Sequence, residues 1–140
     1  MARQIAKLSR PGDILALQGD LGAGKTVFAR AFVRAFCGPD TEVPSPTFTL
    51  VQIYDCPDTQ IYHFDLYRLE HAEEALELGL DEAFSGGISL VEWPQRLDTL
   101  LPKRCLTLTL SYGAGEQDRA VHIQAPGDWA NRLQEAQIEP

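Results

Sequence analysis

The chain has 140 residues and a formal net charge of −8, and 44% of its residues are hydrophobic. A chain of this length buries roughly two-thirds of its unfolded surface, so we expect one domain over residues 1–140. The acidic charge argues against direct binding of nucleic acid, because proteins with that function usually carry a basic surface.

The cysteines and the apolar runs indicate where the protein works. Cys37, Cys56 and Cys105 are scattered and do not stand at metal-binding spacing, so we expect neither a disulfide framework nor a structural metal. No stretch approaches the roughly 18 consecutive apolar residues that a membrane helix needs, and residues 1–7 lack the apolar core of a secretory signal. We therefore expect a cytoplasmic protein without a membrane partner.

The first predicted elements are a short helix over residues 2–10, a strand over Ile14–Gln18 and a helix that starts near residue 24. The spacing predicts that one face of the last helix carries Phe28, Ala31, Phe32, Ala35 and Phe36. Residues 19–26 between them read G-D-L-G-A-G-K-T, which has the P-loop spacing G-x-x-x-x-G-K-T. Such a loop turns backbone N–H groups toward phosphate oxygens, and the start of the following helix adds partial positive charge. The alternative is a glycine-rich turn that matches this spacing by chance. A strand before the turn and a helix after it make a chance match less frequent. The predicted phosphate-binding residues are Asp20, Leu21, Gly22, Ala23, Gly24, Lys25 and Thr26.

The next segment predicts an antiparallel hairpin. Prolines in residues 43–46 exclude a regular helix there, and the extended runs 47–54 and 60–67 flank turn residues. Alternation in the second run places Asp65 opposite Phe64, so Asp65 need not face the core. Ser45 and Thr47 lie where the switch loops of P-loop proteins sense the γ-phosphate. The alternative for Thr47 is the β-branched start of a strand.

The remaining elements complete an α/β pattern. Residues 71–79 predict a short helix with an acidic outer face, and residues 88–94 predict a buried parallel strand that ends in the carboxylate of Glu92. Residues 105–112 and 119–125 predict a second hairpin, and residues 129–137 a terminal helix. The predicted fold is α/β, a P-loop NTPase-like three-layer fold with a mixed parallel and antiparallel sheet.

Two acidic residues are the candidates for catalysis. Cleaving a bound nucleotide requires a metal held opposite Thr26 and a group that positions the attacking water. Glu92 at the end of its strand is the candidate metal ligand, and Asp65 is the candidate for a second metal contact or for the water. The alternatives are an acid without a ligand at Glu92 and an ion pair with Arg68 at Asp65. His63 is more typical of a packed strand histidine.

Trp93, next to Glu92, has three interpretations that the sequence leaves open. Its ring covers the predicted site, docks a partner or belongs to the core.

Five blocks in this order resemble the TsaE (YjeE) family. They are GDLGAGKT from residue 19, SPTF from residue 45, HFDLYRL from residue 63, ELGLDE from residue 77 and VEWPQR from residue 91. The resemblance covers residues 12–96 and implies a small bacterial cytoplasmic ATPase that works with TsaD- and TsaB-like proteins. Their product is threonylcarbamoyladenosine in tRNA. Because this chain is acidic, we expect it to contact tRNA only indirectly, through the complex.

The resemblance also implies the roles of particular residues. ATP is the substrate and Mg²⁺ the cofactor, with Lys25 and Thr26 at the phosphates and the metal. Glu92 is the implied metal ligand, Asp65 the implied catalytic or metal-shell acid, and the SPTF loop the implied switch. Arg119, at the start of the last strand, is a further candidate for contact with the nucleotide.

Other functions fit a P-loop as well. One is a small P-loop kinase acting on a metabolite, although the chain shows no arginine-rich lid insertion. Another is a nucleotide-gated assembly module, in which binding matters and cleavage is incidental. A GTPase is disfavoured, because the chain has no N-K-x-D motif and no D-x-x-G motif after the switch region.

Overall fold

The computed structural model describes residues 1–20, 22–113 and 119–138, and its centre is one mixed sheet. The strands are β1 Ile14–Gln18, β2 Val51–Asp55, β3 Gln60–Asp65, β4 Ile88–Glu92, β5 Leu106–Tyr112 and β6 Arg119–Gln124. Their order across the sheet is β2-β3-β4-β1-β5-β6. The central strands β3, β4, β1 and β5 run parallel, and β2 and β6 pair antiparallel at the two edges. The predicted fold class is confirmed.

Helices cover both faces of this sheet. They are α1 Ala2–Leu8, α2 Lys25–Cys37, α3 Leu80–Gly86 and α4 Asp128–Glu135, with 3₁₀ helices at Ala72–Leu78 and Pro94–Leu100. Leu15 and Leu17 of β1 pack with α1, α2 and α4, while Ile14 and Ala16 pack with α3 and the 3₁₀ helices. Strand β1 is therefore buried on both faces, as parallel central strands are. None of the described helices combines the length and apolarity needed to cross a bilayer.

The apolar face of α2 differs from the one that its spacing predicts. The aromatic side chains at positions 28, 32 and 36 do pack inward, but Ala29 and Val33 accompany them. Ala31 and Ala35, which the sequence pattern placed on that face, are exposed. The aromatic rings fix the stripe because they bury most area, whereas an alanine contributes little to the choice of side.

The second segment of the chain begins its strand later than predicted. Residues 47–50 form a turn in which the Leu50 N–H donates to the Pro46 carbonyl at 2.7 Å. Pairing with β3 starts only where the Asp65 N–H donates to the Leu50 carbonyl at 2.9 Å. Residues 47–50 therefore belong to a turn and not to the predicted strand. The turn directs the Thr47 side chain toward β3.

The expectation of no disulfide is wrong for one pair. Cys37 at the end of α2 and Cys56 in the β2–β3 turn are bonded, with their Cα atoms 4.7 Å apart. Cys105 is free and buried. The spacing of 19 residues gives no sign of this pairing, because the helix end and the hairpin turn meet only in the folded protein. The bond ties the helix that follows the P-loop to the hairpin.

We expect Phe32→Ala to destabilise the fold strongly. Phe32 is fully buried between α2 and the sheet, and deleting such a ring leaves a cavity, so the free energy of unfolding should fall by about 3–5 kcal/mol. Urea unfolding measures the change. Phe48→Ala is the matched control, since Phe48 is 79% exposed and its removal should cost within about 0.5 kcal/mol. Equal losses for the two variants would contradict this placement of the core.

Candidate functional site

Three adjacent parallel strands end side by side at the candidate site. In the sheet register Leu17 of β1 pairs with Glu92 of β4, and Glu92 pairs with Asp65 of β3. Parallel α/β sheets bind their ligands beyond the carboxyl ends of such strands. The structure thus places Glu92 at the end of the strand beside β1, and Asp65 lies in the same row.

The P-loop joins the end of β1 to the start of α2 at this edge. Helix α2 begins at Lys25, directly after Gly24, which has a φ of +107°. Side chains with a Cβ rarely adopt that conformation, so the glycine allows the loop to turn into the helix. Ala23 is buried and its N–H donates to the Asp20 carbonyl at 3.1 Å, while the Asp20 side chain is exposed. Leu21 lies outside the described residues.

The first turn of α2 places Thr26 against Glu92. The Thr26 hydroxyl donates toward the two carboxylate oxygens of Glu92, and it stands 3.2 Å from each. Glu92 is only 3% exposed. A hydroxyl and a carboxylate are hard oxygen ligands of the kind that Mg²⁺ takes in proteins, so this donor set fits that ion.

His63 of β3 holds the other side of the same carboxylate. Its Nε2 lies 2.6 Å from Oε2 of Glu92, and the ring is fully buried. An ionised carboxylate only accepts hydrogen bonds, so Nε2 is the donor. The Nδ1 atom is buried and has no partner among the described residues. His63 is thus a hydrogen-bonded strand histidine, as the sequence indicates, and its partner is the candidate metal ligand.

Asp65 connects the sheet edge to the SPTF loop. Its Oδ2 accepts from the Thr47 hydroxyl at 3.0 Å, and its Oδ1 accepts from the Tyr67 N–H at 3.1 Å. The Ser45 and Thr47 hydroxyl oxygens are 2.7 Å apart. Arg68, the alternative partner for Asp65, instead lies over the Phe48 ring, 4.3 Å from its centroid. Ser45, Thr47 and Asp65 therefore form one hydrogen-bonded chain.

Lys25 lies at the centre of the arrangement and is only 4% exposed. Its Nζ donates to the Gly19 carbonyl at 2.6 Å and stands 3.4 Å from the centroid of the Trp93 ring. Burial lowers the pKa of the Lys25 ammonium below its usual value, and the Glu92 carboxylate, the first of several nearby acids, opposes that shift. The Trp93 ring therefore covers the site, and it also packs against the core on the side of α3 and the 3₁₀ helices, so two of its three interpretations are met.

Tyr67 is a residue at the site that the sequence reasoning did not single out. Its ring packs against Trp93 with 5.0 Å between the centroids. The alternation of side chains along residues 60–67 could have identified it, because this alternation places Tyr67 on the same side as Asp65.

A cavity of about 310 Å³ brings most of the predicted residues together. This is the lower end of the size of ligand pockets, which suits phosphate groups. The side chain of Arg119 is not among the described parts of the chain. Residues from four separate sequence blocks line the cavity: Gly22, Gly24, Lys25, Thr26, Val27, Ser45, Thr47, Asp65, Glu92 and Trp93.

The fold and the site together define the class of protein. A parallel sheet whose first strand runs through a G-x-x-x-x-G-K-T loop into a helix, with an acid at the end of the adjacent strand, is the arrangement of P-loop nucleotide-binding proteins.

Comparison with known proteins narrows the class to a family. The family model described as "Threonylcarbamoyl adenosine biosynthesis protein TsaE" matches residues 1–121. The tRNA threonylcarbamoyladenosine biosynthesis protein TsaE of Rickettsia bellii is 47% identical over 109 residues, which are 78% of this chain and 76% of that protein. The protein of the same name from Bacillus subtilis is 40% identical over 129 residues, 91% of this chain and 79% of that protein. The crystal structure of Bacillus subtilis YdiB superposes with a TM-score of 0.80 at 34% identity, over 97% of this chain and 84% of that chain. The chain belongs to the TsaE family.

Proposed function

We propose that this protein is an Mg²⁺-dependent ATPase that supports the formation of threonylcarbamoyladenosine in tRNA, in a complex with TsaD- and TsaB-like proteins. Residues 1–140 act as one ATPase domain, in the cytoplasm, and tRNA is met through the partners. The single observation that supports this most is the approach of the Thr26 hydroxyl to both carboxylate oxygens of Glu92, at 3.2 Å, beside a P-loop.

The residues divide the work of phosphate binding. Lys25 would exchange its contact with the Gly19 carbonyl for the β- and γ-phosphates, and the N–H groups at the start of α2 would donate to phosphate oxygens. Thr26 and Glu92 would hold Mg²⁺, which neutralises phosphate charge when bound. Lys25 is buried beside the Trp93 ring, so its attraction to a phosphate would be screened less than it is in bulk water.

Asp65 is proposed to orient the attacking water or to make a second contact with the metal. One of its carboxylate oxygens is held by Thr47 of the switch segment, so a γ-phosphate that displaces Thr47 would also free Asp65. Ser45 shares the same hydrogen-bonded chain. The switch and the catalytic acid are therefore proposed to respond together to the nucleotide.

His63 is proposed as a positioning residue for Glu92. We expect His63→Phe to raise the Mg²⁺ concentration needed for half-maximal ATP turnover by about 10- to 100-fold, because hydrogen bonds behind a metal ligand fix its orientation. Magnesium titrations at saturating ATP measure this. His63→Gln, which keeps a donor, should recover part of the loss. His122→Gln, at an exposed strand position, is the control. A normal magnesium requirement in His63→Phe would argue against this role.

Reconstitution tests the whole proposal. The purified chain, TsaD- and TsaB-like proteins of the same organism, tRNA, a preformed activated threonylcarbamoyl donor and ATP are combined, and the modified nucleoside is measured with and without this chain. We expect product to depend on the chain and on ATP rather than GTP. Unchanged product in its absence would refute the proposal.

The same preparation separates the rival functions. In a screen that adds candidate metabolites, ATP consumption with a labelled γ-phosphate that appears only as inorganic phosphate would exclude a metabolite kinase. A Glu92 or Asp65 variant that still binds ATP and supports repeated rounds of modification would favour an assembly module over an ATPase.

A further inference from the structure

The groove between α1 and α2 is the feature of the surface that the proposed ATPase site does not use. It has a volume of about 940 Å³ and lies on the outer side of the two helices. Ala6, Ala31 and Ala35 line it with small apolar side chains, and the last two are the alanines that the spacing placed on the same face of α2 as the phenylalanines.

The groove is basic in a protein that is acidic overall. Four of the chain's 12 Lys and Arg residues line it, together with one of its 20 acidic residues, Asp58. None of the four makes an ion pair within the described part of the chain. Their charge is therefore available to a partner. The four are Arg3 and Lys7 of α1 and Arg30 and Arg34 of α2.

The spacing of these cations matches a helix. Arg3 and Lys7 are four residues apart on one rim, and Arg30 and Arg34 are four apart on the other. Each pair is thus one helical turn apart, which is also the distance between carboxylates at i and i+4 of a helix lying in the groove. The alanines between the rims allow a close approach of such a helix, and an amphipathic helix in a groove is a common mode of recognition.

The two arginines also contact the segment that leads into the switch. Arg30 Nε donates to the Val43 carbonyl at 3.4 Å and Arg34 Nε to the Thr41 carbonyl at 3.0 Å. The terminal nitrogens of both guanidinium groups make no hydrogen bond to a described residue, so they remain free for carboxylates. A partner bound in the groove would thus lie next to the chain that carries Ser45 and Thr47.

We infer that this groove docks an acidic amphipathic helix of a partner protein. Charge complementarity favours an acidic partner, and the apolar lining favours a helix over a nucleic acid backbone. A long polyanion would also extend beyond the groove onto a molecule of net charge −8. The assignment of that helix to a TsaD- or TsaB-like protein rests on the proposed function, whereas the chemistry of the groove does not.

Matched charge reversals test the inference. Lys7→Glu and Lys103→Glu make the same change at exposed positions, and only Lys7 lines the groove. We measure binding of the intact chain to the purified TsaD- and TsaB-like complex by calorimetry at two salt concentrations. Lys7→Glu should weaken binding at least about tenfold and reduce its salt dependence, while Lys103→Glu stays near the unmodified chain. Arg34→Glu repeats the test from the other rim.

A second probe is independent of the modifying complex. A synthetic alanine-rich helical peptide with Glu pairs at i and i+4 should bind the chain and lose affinity to Lys7→Glu, and a peptide of the same composition with scrambled Glu positions should bind more weakly. Fluorescently labelled tRNA is the third probe. Equal binding of both protein probes to Lys7→Glu and Lys103→Glu, or no binding to the unmodified chain, would overturn the inference. Groove-dependent binding of tRNA alone would overturn it in favour of a nucleic acid.

Turnover of ATP separates this inference from the proposed function. Lys7→Glu and Lys103→Glu should hydrolyse ATP alone at the rate of the unmodified chain, because their changes lie outside the nucleotide cavity and outside the switch segment. Absence of turnover in the unmodified chain would refute the ATPase and leave groove binding intact.

Discussion

Lys25→Ala should lower the rate of ATP hydrolysis by at least about 10²- to 10³-fold, the loss expected when a preorganised group that stabilises transition-state charge is removed. Lys25 is the cation that lines the cavity among the described residues, and its Nζ is already held at the mouth of the P-loop by the Gly19 carbonyl. Phosphate release at saturating ATP and Mg²⁺ measures the effect. The loss should lie mainly in kcat, because the phosphate charge that Lys25 would meet grows during transfer.

The control for this variant is Lys103→Ala, an identical change at an exposed position far along the chain. Lys25 makes its hydrogen bond to a loop carbonyl rather than to the core, so Lys25→Ala should keep its fold, as circular dichroism can verify. Undiminished phosphate release from a folded Lys25→Ala would refute the proposed mechanism.

The second large effect is expected for Glu92→Gln. The amide keeps the size of the side chain and an oxygen that accepts from Thr26, but it removes the negative charge that would hold Mg²⁺. We expect turnover to fall about 10²-fold or more, since metal stabilisation of charge amounts to several kcal/mol. Phosphate release across a magnesium titration measures the change.

Glu73→Gln, at an exposed position, is the matched control and should retain full activity. ATP binding to Glu92→Gln in the absence of metal should persist, because the P-loop contacts remain. Magnesium-stimulated turnover at the normal rate would mean that another acid holds the metal, and Asp65 in the same row of strand ends would be the next to test.

Local chemistry explains why much of the site could be predicted. The P-loop is a contiguous motif, and a buried apolar run ending in an acid marks a strand whose carboxyl end lies at the ligand edge. The hydrogen bond between His63 and Glu92 could not be predicted from the sequence, because it depends on the register between β3 and β4. Register is set by packing of the whole sheet rather than by either strand alone.

Other features depended on tertiary contacts in the same way. Ala31 and Ala35 are exposed because the side of α2 that carries them packs against neither α1 nor the sheet. Alanine buries little apolar area, so its position does not decide which side of the helix faces the core. Helix α3 was missed because its seven residues, Leu80–Gly86, give too short a window for a helical period. The bond between Cys37 and Cys56 joins two elements that only the sheet brings together.

The length of β4 limits the insertions and deletions that this fold can tolerate. At its start, a Cβ on Gly87 would come within 2.6 Å of the Tyr62 ring, so the chain enters the strand through a gap sized for glycine. At its end, five residues later, Glu92 points toward Thr26. Because side chains alternate along a strand, one inserted or deleted residue between these points would turn the carboxylate to the opposite face of the sheet. The number of residues from Gly87 to Glu92 should therefore be constant, and natural insertions and deletions should be confined to the loops outside this segment.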